Sequence, residues 1–184
     1  TVSAMTQGEA ISVLTRAYYI TNNQPNLDLA DNSIGLLEIS VKEGGLVNKF
    51  YDLPVFEEYP LTEKTVAVLN GFIFCLFGLY DLWLTNRNQQ ANDLFWRGTR
   101  SLKNLLPYYD IGYWSQYHLF DFPSSFPATF TYHSIVFEQL KVLYLITEEN
   151  IFFDYYSKWY LKSTSFLNKT RVLYRKLILN RKLD

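Results

Sequence analysis

The residues best equipped for chemistry in this chain are tyrosines, and many crowd into two stretches without helical periodicity. Tyr59 lies between Gly44 and Glu63; Tyr108, Tyr109, Tyr113, Tyr117 and Tyr132 lie between Pro107 and Tyr132. A phenol, with a reference pKa of about 10, can take or give a proton after modest tuning. Aromatic residues make up 18% of the 184, with 15 Tyr and 14 Phe. Large rings pack helical cores, and their faces also suit the C–H faces of pyranose rings, so both readings stay open. Other chemistries find little support. His118 and His133 lack the spacing of helix-borne metal ligands, and the single cysteine, Cys75, has no partner for a cluster. No phosphate-cradling glycine loop and no acyl-transfer motif is present, so no cofactor is expected.

Bulk properties narrow the partners. A formal net charge of −1 leaves no global basic field to hold nucleic acid, so a polyanionic ligand must be gripped locally. The apolar stretch from Val66 to Leu84 is interrupted by Asn70, Gly71, Gly78 and Asp81. Its uncharged part falls short of the roughly 20 residues a bilayer requires, so a buried helix is expected there, with Cys75 as a small buried hydrophobe. The chain opens at Thr1 without an initiator methionine, which is expected of a fragment or processed product.

The elements that must position these tyrosines read as a repeated helical hairpin. Thr6-Gln7-Gly8-Glu9 has the form of a capping box, followed by Ala10, Ile11, Leu14, Ala17 and Tyr18 at helical spacing. After Pro25, Leu27, Ala30, Ile34, Leu37 and Val41 predict a second helix, stopped at Gly44-Gly45. The unit recurs as Val66 to Thr85 with Asn92 to Leu106, the latter stopped by Pro107, and as Ile135 to Thr147 with Ile151 to Leu161. Aligning the turns on Thr21, Thr85 and Thr147 brings Tyr18, Leu82 and Tyr144 into register, and likewise Asp28, Asn92 and Asp154. Regularly repeated helix pairs stack on a shared core, which predicts an all-α fold, an α/α toroid of antiparallel hairpins. Three pairs are few for a closed ring, so earlier hairpins are expected in a preceding part of the protein. The division drawn is 1–162 for the toroid and 163–184 for a basic amphipathic helix packed on it. The alternating topology brings the two long links to one rim, where binding and catalytic groups concentrate.

Several motifs resemble those of the C-terminal helical domain of the D-glucuronyl C5-epimerases. They are Thr6-Gln7-Gly8 with Leu14-Thr15-Arg16-Ala17-Tyr18, Asn48-Lys49, Glu57-Glu58-Tyr59-Pro60, Leu69-Asn70-Gly71-Phe72 and Gly78-Leu79-Tyr80-Asp81-Leu82. Ser101-Leu102-Lys103, Leu106-Pro107-Tyr108-Tyr109-Asp110, Tyr117, and Tyr132-His133 ahead of Gln139-Leu140 continue the series in the family's order. The resemblance implies an isomerase that removes the proton at carbon 5 of a glucuronate unit and returns one to the opposite face, giving iduronate in a heparosan-like polysaccharide. It places catalytic tyrosines at Tyr59, Tyr117 and Tyr132, with Glu58 beside the first. It implies substrate contacts from Gln7, Asn48, Lys49, Glu57 and His133. The partners it implies are an acidic polysaccharide and an N-terminal domain of the same protein; a homodimer is compatible with it. The compartment would be the Golgi lumen in an animal, or the cytoplasm or cell envelope in a bacterium.

Blander roles stand beside these. Glu58 could hold its loop, Asn48 and Lys49 could position theirs, and His133 could be a core histidine. After Tyr117 the family's Asp-Leu-Arg is replaced by His118-Leu119-Phe120, so the basic residue expected near the substrate carboxylate is missing there. Lys49 and a protonated His133 are the candidate replacements. A uronan lyase begins with the same proton abstraction, and a non-catalytic carbohydrate-binding domain is the other alternative.

Overall fold

The first helix begins earlier than its Thr-Gln-Gly-Glu run predicts, because Ser3 rather than Thr6 caps it. In this computed structural model, which describes residues 2–120, 122 and 126–180, the Ser3 hydroxyl accepts the Thr6 N–H at 3.5 Å and helix α1 runs over Ala4–Thr21. Helix α2 covers Gln24–Asn32, with Pro25 in its first turn. It stops well before Val41, because Ser33 turns its hydroxyl onto the Leu29 carbonyl at 2.7 Å, a local bond that competes with helix continuation. Short 3₁₀ turns at Gly35–Leu37 and Val41–Glu43 follow. The first long link then folds into a small hairpin that helical periodicity could not announce. Strand β1, Val47–Phe50, pairs antiparallel with β2, Leu53–Phe56, in the register Val47↔Phe56 to Phe50↔Leu53.

Helices α3, Leu69–Asn86, and α4, Gln89–Tyr109, form the second pair, and α5, Phe130–Thr147, with α6, Asn150–Thr164, the third. Pro107 lies inside α4 instead of stopping it; a proline near a helix end removes one N–H bond, and the last turn persists. Helix α7, Phe166–Asn180, follows. Its Val172 is buried with Trp114 and Ala128, and Asn168, one turn earlier, is buried too, but Leu173 and Leu177 face outward. Among the described residues, no helix is long and apolar enough to cross a membrane.

The repeat seen in the sequence is a repeated helix ending. Thr21, Thr85 and Thr147 each donate their hydroxyl to the carbonyl four residues back, at 2.6–2.7 Å. A left-handed residue then closes each helix: Asn22, Arg87 and Glu148 return their N–H to Tyr18, Trp83 and Tyr144. Thr21 and Thr147 also accept the N–H two residues on. At the second turn the helix is one residue longer, and Asn86 takes over that acceptor role for Asn88.

Two compact units result, Thr1–Asn104 and Leu105–Asp184, so compactness divides the chain within α4, a different division from that drawn at 162/163. Each contains one of the long links. In the first, α1 and α3 approach at the backbone. A Cβ at Gly8 would lie 2.5 Å from the Cys75 Cα and 2.6 Å from the Phe74 carbonyl oxygen, and one at Gly78 would overlap the Gly8 backbone. In the second, the Asp110 carboxylate receives the Lys158 ammonium and the Trp159 indole N–H, tying the end of α4 to α6.

Candidate active site

In the first unit the acidic pair Glu57-Glu58 leaves β2 with its two side chains sent to different tasks. Glu57 is fully buried. Its Oε1 accepts the Val66 N–H at 2.9 Å and its Oε2 the Ala67 N–H at 3.0 Å, while its own N–H and C=O bond Leu46 and Ala4. Ala67 is held at φ 51, a strained conformation for a residue with a Cβ that neighbouring bonds must impose. Burial pushes the Glu57 carboxyl up to about 7, outweighing the two amide bonds that pull it down. The substrate contact expected of Glu57 is therefore not what its geometry offers: it joins the start of α1, the hairpin and the entry to α3.

Glu58 turns the other way and is half-buried. Its Oε2 lies where a Cβ on Gly71 would overlap it, so the glycine makes the space the carboxylate fills. That oxygen is buried and, among the described residues, has no hydrogen-bond partner. Burial raises the Glu58 carboxyl above its ordinary range; a hydrogen bond from Tyr59 opposes this and the charge of Glu9 adds to it. Tyr59 itself is 48% exposed. Gln7 is half-buried on α1 beside Gly8. Asn48 spends its side chain locally, accepting the Lys49 N–H at 2.9 Å and reaching the Lys64 carbonyl at 3.5 Å. Lys49 is exposed on β1 and, with Asn48, borders a surface hollow of about 420 Å³.

In the second unit Tyr132 enters α5 at its third residue, where Thr129 caps the helix by accepting the Tyr132 N–H at 3.2 Å. Its ring meets that of Tyr117 at 4.9 Å between centroids, so two of the expected tyrosines are brought together. Gln116, which sequence reasoning passed over, holds Tyr117 in place. It is buried, donates to the Tyr108 carbonyl at 2.7 Å and accepts the Phe126 N–H at 3.0 Å, while Tyr117 donates its own N–H to Phe126.

His133 is fully buried and stacked on Trp114 at 3.7 Å. The Ser115 N–H points at Nδ1 at 3.3 Å, with the Ser115 hydroxyl at 2.7 Å, so Nδ1 is an acceptor. Nε2 then carries the proton and donates it to the Trp159 carbonyl at 3.2 Å. Burial lowers its pKa to about 4. Neither the substrate contact nor the protonated cation expected of His133 fits: both nitrogens are engaged, and a charge there would be desolvated. Trp114 and Ser115, which enclose the ring, stand well ahead of it in sequence, so no local signal announced its burial. Among the described residues, no group of three or more His, Cys, Asp or Glu is placed to hold a metal ion.

The family described as D-glucuronyl C5-epimerase C-terminus matches residues 2–161. A D-glucuronyl C5-epimerase of Caenorhabditis elegans is 40% identical over 129 residues, 64% of this chain and 21% of that protein. An uncharacterised protein of Methanocaldococcus jannaschii is 32% identical over 162 residues, 85% of this chain and 50% of that one. This chain thus spans at most half the length of either relative. A solved structure, the cellobiose 2-epimerase of Spirochaeta thermophila, is similar with a TM-score of 0.63 at 16% identity, over 86% of this chain and 42% of that one. That likeness shows the fold, an all-α architecture of the α/α-toroid type.

Proposed function

Since the chain belongs to the D-glucuronyl C5-epimerase family, as its C-terminal domain, we propose that it serves a carbohydrate epimerase that inverts carbon 5 of glucuronate units in a heparosan-like acidic polysaccharide. The proton on that carbon is α to a carboxylate and leaves only when the enolate-like dianion is stabilised. Inversion then needs a base on one face of the ring and an acid on the other. The family resemblance offers Glu58 and Tyr59 in the first unit, and Tyr117 and Tyr132 in the second, as the candidates for these groups. Lys49 is the cation assigned to the reacting carboxylate, since His133 is neutral.

The observation that carries this reading is Glu58. A buried carboxylate oxygen without a hydrogen-bond partner, beside an exposed tyrosine that bonds the same side chain, is an expensive arrangement for a fold alone. Perturbed acids of this kind gather where protons are moved. Glu58 accepts a hydrogen bond from Tyr59, which orients the phenol that is to take or give the carbon-5 proton.

Incubating the full-length protein with uronans in deuterated water tests the reading. Deuterium at carbon 5, with mixed glucuronate and iduronate and no chain cleavage, is the expected result. An ultraviolet-absorbing unsaturated uronate would instead make the protein a lyase, and no exchange with any uronan would overturn the assignment.

A further inference from the structure

A hollow of about 420 Å³ opens along α1 and α3, lined by Glu9, Ser12, Val13, Arg16, Phe74 and Phe77. Its volume falls within the range of small-ligand sites, about 300–1,000 Å³. We propose that this hollow is a second subsite for the same acidic polysaccharide, in which Arg16 holds the carboxylate of a uronate other than the one that reacts. The inference rests on the function proposed above and adds to it a specificity-determining cation.

Arg16 is fixed from behind and open in front. Its Nη2 meets Asp81 Oδ2 at 3.0 Å and its Nη1 donates to the Ser12 carbonyl at 3.1 Å. The Ser12 hydroxyl donates to the same Asp81 oxygen at 2.6 Å, so the anchor is itself oriented. Arg16 nevertheless leaves 66% of its side chain exposed. An ion pair so exposed contributes little to folding. The arrangement does, however, preorganise a guanidinium, whose five donors in a planar fork match a carboxylate. The Phe74 and Phe77 rings lie 6.4 Å apart and nearly perpendicular, presenting apolar surface for the C–H faces of sugar rings.

Position links the hollow to the candidate site. On α3, Phe74 stands one helical turn beyond Gly71, over which the Glu58 carboxylate lies; residues 9, 12, 13 and 16 share one face of α1, with Glu9 at one end. Arg16 lies seven residues further along, about 10 Å at helical rise. That is a span on the scale of one disaccharide repeat. The hollow therefore runs from one helical turn beyond the Glu58 contact to a carboxylate anchor, in the manner of a chain-binding groove.

The experiment compares wild type and Arg16→Gln, both full-length, in carbon-5 deuterium exchange on size-defined uronan oligosaccharides. Losing a charge-assisted pair should raise KM about ten-fold or more on long oligosaccharides. The rise should shrink as chains become too short to reach position 16, and Arg16→Lys should recover part of it. A melting temperature equal to wild type separates this from misfolding. An unchanged KM on long chains overturns the subsite, and so does a loss of the same size at every chain length. Should wild type exchange no deuterium with any uronan, the proposed function has failed on its own. Calorimetric titration with the longest oligosaccharide then decides the subsite: weaker binding by Arg16→Gln supports it, and equal binding, or none by wild type, overturns it.

Discussion

Removing the hydroxyl of Tyr59 or Tyr132 takes away a candidate acid–base group and almost no packing, since the two residues are 48% and 37% exposed. Tyr132→Phe should keep the wild-type melting temperature, Tyr59→Phe should melt slightly lower because Glu58 loses a hydrogen bond, and each should lower carbon-5 exchange by a factor on the order of 100. Full exchange in either variant would remove that tyrosine from the mechanism. The residue types were legible in the sequence; their division of labour was not. Glu57 and Glu58 are adjacent and identical in type, yet one carboxylate turns inward to hold Val66 and Ala67 while the other reaches Gly71. Only the direction in which the chain leaves β2 separates them. His133 reads as a site residue beside Tyr132 because its burial depends on Trp114 and Ser115, which are distant in sequence.

At the scale of elements, the contact between α1 and α3 is set by glycines where no side chain would fit. An alanine methyl at position 8 would meet Cys75 Cα and the Phe74 carbonyl oxygen, backbone atoms of a buried helix that have no rotamer to yield. Gly8→Ala should therefore destabilise the protein by about 1–3 kcal/mol or more, as overpacking does. At Gly35 an added Cβ meets nothing within 4 Å and φ is not positive, so Gly35→Ala should melt close to wild type. Equal melting of the two variants in a thermal scan would refute the close-approach argument. Helical pairing was legible, because apolar periodicity and the threonine repeat are local signals. Boundaries were less so. Ser3 displaced Thr6 as cap, Ser33 cut α2 short, and Pro107 was absorbed into the last turn of α4. The hairpin of β1 and β2 escaped notice because Leu53–Phe56 gains its meaning from tertiary bonds, such as the Ser101 hydroxyl on the Pro54 carbonyl at 2.5 Å.

For the whole molecule, two buried titrating groups, one in each compact unit, pull the pH dependence of stability in opposite directions. The Glu57 carboxyl has a pKa of about 7 in the fold against an ordinary 4.5. Between those values the folded state holds the extra proton, so the first unit loses stability as pH rises from about 4.5 to 7. The His133 imidazole has a pKa of about 4 against an ordinary 6.5. There the unfolded chain holds the extra proton, so the second unit gains stability as pH rises from about 4 to 6.5. Each effect is on the order of 3 kcal/mol at full titration, and near pH 5.5 the two slopes offset each other. Hydrogen–deuterium exchange, corrected for intrinsic rate and read by peptide, should show protection around Val66–Leu76 falling with pH while protection around His133–Leu143 rises. Glu57→Gln removes the first slope. It also costs about 1–3 kcal/mol at neutral pH, because an amide NH₂ then faces one of the Val66 and Ala67 donors. Its overall stability, by denaturant titration at fixed pH, should rise steadily from pH 4 to 6.5 where wild type stays nearly level. A Glu57→Gln profile parallel to wild type would mean that the carboxylate stays ionised in the fold, its two amide bonds prevailing over burial.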